Sequence, residues 1–161
     1  MKETFYIICL SLFLLQCKSK NLSINEIKNI AFIEAKEFAE AMVEHDFEKL
    51  YKYNTFRNEK KMTESEFVNS CELSIKDFET TEKMKKRVVE KPLNFVQCKN
   101  EYQCVFNQTS FFENVNGEIR TAKTKLIGYS KNGEDWTFEV TNFDIKYDKK
   151  YLPYICEGLL N

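Results

Sequence analysis

Between Cys98 and Phe143 the chain alternates apolar and polar residues in runs rich in Val, Ile, Thr, Phe and Tyr, and two Asn-Gly pairs, Asn116-Gly117 and Asn132-Gly133, interrupt the runs. Both residues of such a pair tolerate positive φ, so the pattern predicts hairpins and a four-stranded antiparallel meander. Two-residue loops at both pairs set a register. Asn114 then faces Ile119, Phe106 faces Ile127 and Cys104 faces Tyr129, while on the next strand Tyr129 faces Trp136 and Ile127 faces Phe138. Because side chains alternate across a strand, this register puts Cys104, Phe106, Ile127, Tyr129, Trp136 and Phe138 on one apolar face, which needs a cover.

The cover lies upstream. Ser23-Ile24-Asn25-Glu26 has the form of a capping box, and Ile27, Ala31, Ala35, Phe38 and Met42 recur at three- and four-residue steps, predicting a long amphipathic helix. The stripe breaks at His45-Asp46, where Asp46 is a good N-cap for a shorter helix carrying Phe47, Leu50, Tyr51 and Asn54. Thr63-Glu64-Ser65-Glu66 is a second capping box, opening a third helix with Phe67, Cys71, Ile75 and Phe78 on one stripe. Residues 80–90 read as a charged connector with a short strand at Val88-Val89, and Pro92 opens the sheet region. The chain closes in a tail with a short turn over 153–160. The fold class is α+β, with N-terminal helices packed on an antiparallel β-meander.

The first sixteen residues change the count. Lys2 precedes an apolar run from Thr4 to Leu15 that is too short to span a bilayer, which fits a signal peptide over 1–16. Leu14-Leu15-Gln16-Cys17 resembles the lipobox of bacterial lipoproteins. That resemblance implies acylation of Cys17, a lipidated tether over 17–22, a single domain over 23–161, and a place in the bacterial cell envelope, anchored to the membrane through the lipid. Gln16 stands where that family usually has Gly, Ala or Ser, and plain secretion is the alternative. About 145 residues would remain, enough for one core. The formal charge of −1 gives no pull toward nucleic acid. The basic cluster Lys83, Lys85, Lys86 and Arg87 lies between Glu79, Glu82 and Glu90 and reads as a solvated connector.

Of six cysteines, Cys9 falls in the signal and Cys17 at the lipidation point, leaving Cys71, Cys98, Cys104 and Cys156. Four cysteines allow three pairings. If Lys99 faces Gln103 across Asn100, Glu101 and Tyr102, then Cys98 lies opposite Cys104, Val96 lies opposite Phe106, and the remaining bridge is Cys71–Cys156. No C-x-x-C or His pair indicates a metal site, no Gly-rich loop indicates a nucleotide, and no cofactor is expected. His45 is the sole histidine, next to the capping Asp46. Ser110, Ser130 and Cys156 lack a nucleophile-elbow setting, and Asp144 and Asp148 have no partner at usable spacing.

The helix–corner–helix at Glu44-His45-Asp46-Phe47-Glu48-Lys49-Leu50-Tyr51, followed by a meander that ends in Gly133-Glu134-Asp135-Trp136-Thr137-Phe138-Glu139-Val140, resembles the nuclear transport factor 2-like superfamily. The resemblance implies a cone-like fold in which a curved sheet wraps the first helix and encloses a pocket. Members of that superfamily include isomerases, dehydratases, cyclases and domains that only bind. No catalytic pattern matches residue by residue, so the resemblance assigns no active site. Phe38, Tyr51, Phe106, Phe111, Tyr129, Trp136 and Phe138 are the residues expected at the pocket or at a contact patch. The expected function is a binding or protein-interaction module for an apolar ligand or partner protein. A cone-pocket enzyme performing acid–base chemistry is the alternative.

Overall fold

The structure, a computed structural model, describes residues 22–54, 62–141 and 154–160. Helices α1 (Ile24–Glu44), α2 (Phe47–Tyr53) and α3 (Glu64–Glu79) precede strands β1 (Glu82–Cys98), β2 (Glu101–Asn114), β3 (Ile119–Ser130) and β4 (Thr137–Thr141), and a 3₁₀ turn spans Glu157–Leu160. The strands form one antiparallel sheet in the order β1-β2-β3-β4. The architecture is α+β, three helices followed by an open four-stranded sheet.

Both capping boxes form. The Ser23 and Thr63 side chains accept from the amides of Glu26 and Glu66, whose carboxylates accept back from the Ser23 and Thr63 N–H groups at 2.8 Å. α1 stops at His45, which takes a left-handed φ of 58°, and Asp46 at once caps α2 by accepting from the Lys49 amide at 2.9 Å. The chain therefore turns within two residues, and the buried stripe Ile27, Ala31, Ala35 and Phe38 lies flat on the sheet while α2 packs alongside. The end of α2 is tied to the last strand by a parallel bridge between Asn54 and Phe138.

The strand register differs from the expected one by a single residue in two hairpins, and the turns give the reason. At the first, the Asn114 N–H donates to Glu118 O and the Gly117 N–H donates to Asn114 O, so the loop is Val115-Asn116-Gly117, with Gly117 in the left-handed region at φ 81°. A three-residue loop with a glycine there pairs Glu113 with Ile119, Phe106 with Leu126 and Cys104 with Gly128. At the second, the Asn132 side chain accepts from the amides of Glu134 and Asp135 and the Ser130 hydroxyl accepts from Gly133 N–H, which opens a longer loop and pairs Tyr129 with Thr137 and Gly128 with Phe138. The two shifts cancel across the sheet but invert the strand between them. Cys104, Phe106, Trp136 and Phe138 share the helix-side core with Leu126, whereas Ile127 and Tyr129 turn to the far face and join Val105, Ile155 and Leu159 in a second core.

Two further expectations are corrected. The segment read as a charged connector belongs to β1, which runs from Glu82; as an edge strand it tolerates charge on its open side and Pro92 at a bulge, and its register shifts at Met84/Lys86 and around Pro92 bend the sheet. The turn after β1 is the two-residue Lys99-Asn100, with Lys99 at φ 54°, so Cys98 pairs with Glu101 and faces away from Cys104. A disulfide cannot pass through a sheet, and the bridge that forms is Cys98–Cys156, with Cα atoms 6.3 Å apart. Cys71 and Cys104 are free thiols, so neither the Cys98–Cys104 nor the Cys71–Cys156 pairing occurs. The tail is clamped on the far face of the sheet rather than on the helices. Gln103 holds it there, donating to Tyr154 O at 2.9 Å and accepting from Cys156 N–H at 2.9 Å.

Candidate functional site

The space between α1 and the middle of the sheet is filled by protein. Phe38 meets Phe138 with ring centroids 5.5 Å apart and Tyr53 at 6.2 Å, Phe106 meets Phe138 at 6.3 Å, and Trp136 is 1% exposed with its indole N–H donating to Gly133 O. The structure thus brings together Phe38, Phe106, Trp136 and Phe138, but as core rather than as the lining of a void. Tyr51 sits elsewhere, with its ring 5.6 Å from Phe67 and its hydroxyl donating to Met62 O, where it seats the start of α3. Tyr129 lies on the far face against Tyr154, and Phe111, half-buried, projects to that face as well, since it is one residue out of step with Phe112. Cys17 and the segment before it lie outside the described residues.

Open space occurs beside α1. A groove of about 620 Å³ runs between the outer flank of the helix and the edge strand, with Ile33, Ala39 and Val43 on one side and Arg87, Val88 and Val89 on the other. Ile33 is exposed there, at 43%, with Val43 half-buried beside it, so the groove offers apolar surface to solvent on its helix side. Lys85 and Lys86 stand on its strand rim, and the rim residue Glu37 is engaged elsewhere, accepting from the Tyr53 hydroxyl at 2.9 Å and lying 3.8 Å from Lys49 Nζ.

Arg87 is the chemically distinctive member of the groove wall. Its Nε donates to Ser110 Oγ at 2.9 Å and one terminal nitrogen donates to the Met42 sulfur, which belongs to α1 above it. Among the described residues no carboxylate forms an ion pair with it. Burial pushes its pKa down to about 10, so it stays charged at neutral pH. In the next row of the same sheet face, Val89 pairs with Gln108 and Gln108 with Thr124. Gln108 is 1% exposed, yet neither its amide nitrogen nor its amide oxygen has a hydrogen-bond partner, and the Thr124 hydroxyl is likewise buried and unpartnered. Most buried polar groups in folded proteins are paired, so three unmet atoms side by side mark an unusual place.

α3 packs against α2 at its start and against the sheet at its end. Phe67 at its start rests on Tyr51 and Phe78 at its end rests on Phe112, at 5.6 Å in each case, and none of its residues is fully buried. Cys71, on the same stripe, is half-buried, and burial raises its thiol pKa. His45 is tied up at the corner, stacked on Phe47 at 5.9 Å with Nε2 3.8 Å from Glu79 of α3. It does not line the groove.

No protein-family model and no curated protein matches this chain. The site is therefore read from its own geometry. Neither Arg87 nor Gln108 was among the residues expected at a pocket. A signal for Gln108 was present: in Cys104-x-Phe106-x-Gln108-x-Ser110-x-Phe112 two polar residues occupy the phase of a core face. None existed for Arg87, because its stretch read as a charged connector rather than as part of a strand with an inward face.

Proposed function

We propose that the chain is an exported, lipid-anchored domain that works by binding, and that the groove between α1 and β1 takes an apolar ligand. The observation that carries this reading is the groove itself: Ile33 and Val43 of α1 flank a concavity large enough for a small molecule, while the aromatic interior between α1 and the middle of the sheet is packed. Its architecture is of the nuclear transport factor 2-like kind, a reading supported by the Asp46-capped corner and by helices lying on a curved antiparallel sheet. Export is supported by the apolar segment ahead of Cys17 and by the Cys98–Cys156 bridge, since disulfides persist in oxidising compartments. Two acyl chains on Cys17 would hold the protein stably at a membrane, in the bacterial envelope.

Native mass spectrometry of the protein released from its own membranes tests the binding role. A retained small mass, lost in Ile33→Glu, is the expected result; Ile33 is exposed, so that change leaves the fold intact. Absence of any retained mass, or retention of a partner protein in its place, would count against a small-ligand site. Cys17→Ala should move the protein from the detergent phase to the aqueous phase, and an unchanged partition would sink the anchor.

A further inference from the structure

Arg87 at the groove wall and Gln108 one row behind it in the sheet have polar capacity that the fold leaves unused. A guanidinium carries five N–H donors, and Arg87 commits one to Ser110 and another to a thioether, which is a weak acceptor. A partly buried charge is costly unless an opposite charge meets it; Glu40 and Glu44 line the same groove, but among the described residues no carboxylate forms an ion pair with Arg87. One row along the same face, Gln108 and Thr124 present a buried amide and a buried hydroxyl with no partner. Outward from Arg87 the groove is lined by Ile33 and Val43 of α1, with Glu40 and Glu44 on the same helix flank.

We infer that Arg87, with Ser110, Gln108 and Thr124 beside it, is an anion-recognition site, and that the groove's ligand is an amphipathic monocarboxylate. The carboxylate accepts from the Arg87 guanidinium in a charge-assisted bond, and the alkyl part lies along Ile33 and Val43. Gln108 and Thr124 stand next to the bound head group, where a donor amide and a hydroxyl complete its hydrogen bonds. The inference rests on the reading of the groove as a ligand site, and its test separates the two.

The test titrates the protein with sodium octanoate, octan-1-ol and acetate by calorimetry. Octanoate should bind the wild type at least tenfold more tightly than either the uncharged alcohol or the chainless acid. Arg87→Met should remove that advantage, bringing octanoate to the level of octan-1-ol. Gln108→Met should weaken octanoate several-fold without lowering the melting temperature, which keeps the inference testable if Arg87→Met does not fold. Equal binding of octanoate and octan-1-ol, or octanoate affinity unchanged in both variants, overturns the anion site; if Ile33→Glu then abolishes alcohol binding, the groove survives as an apolar site alone. Acetate binding as tightly as octanoate would leave a simple anion site and overturn the amphipathic ligand. If neither octanoate nor octan-1-ol binds, both readings fall.

Discussion

Gln103 and Gln108 lie five residues apart on β2, each 1% exposed, on opposite faces of the sheet, and they should respond to the same substitution with opposite sign. Gln103 is fully used: its amide nitrogen donates to Glu101 and to Tyr154 O, and its oxygen accepts from Cys156 N–H. Gln108 makes no side-chain bond at all. Methionine has nearly the same length and volume and needs no partner. Gln108→Met therefore relieves the desolvation of an unpaired amide, about 1–3 kcal/mol, and at about 3 °C per kcal/mol for a domain of this size the melting temperature should rise by about 3–9 °C. Gln103→Met should lower it by a similar amount, because it strands the Cys156 amide and the Tyr154 carbonyl. Thermal unfolding followed by circular dichroism, without added ligand, measures both. A fall of more than about 2 °C for Gln108→Met would show that the amide is satisfied in the free protein, and the site built on it would lose its physical basis.

Gly128→Ala should destabilise by about 1–3 kcal/mol through overpacking, since a Cβ there would stand 2.9 Å from Cys104 Sγ and 2.9 Å from Phe138 on the helix side; a neutral result in chemical denaturation would show that Gly128 does not face Phe138. Replacing both Cys98 and Cys156 by Ser opens a loop whose ends are 58 residues apart and should cost about 4 kcal/mol on the chain-entropy account, whereas Cys104→Ser should leave the disulfide intact on a non-reducing peptide map. Thiol labelling of the native protein should reach Cys71 before Cys104, which is fully buried and whose pKa is raised strongly by desolvation; equal rates would contradict its place in the core. Burial raises the Glu34 carboxyl pKa despite Lys52 nearby, so the folded state favours its protonated form, and the stability it contributes is full below the ordinary carboxyl range and lost as pH rises through the shifted value. Glu34→Gln should gain stability relative to wild type between about pH 4 and pH 7, and a difference that stays flat or shrinks would refute that account.

What the sequence determined by itself was everything local. The two capping boxes, the Asp46 corner, the buried stripe of α1 and the order of the antiparallel meander each depend on residues within a few positions of one another, and each appears as the pattern implies. What only the tertiary structure decided was parity. One more residue in the loop at Gly117 sends Ile127 and Tyr129 to the opposite face, and a turn at Lys99-Asn100 that moves the partner of Cys98 three residues, from Cys104 to Glu101, parts the two cysteines, because side chains alternate with a period of two and a slip by an odd number of residues inverts every one of them. The second core under the tail and the Cys98–Cys156 bridge follow from that parity. They arise from turn geometry and from contacts between residues far apart in the chain, which the alternation of apolar and polar positions does not encode.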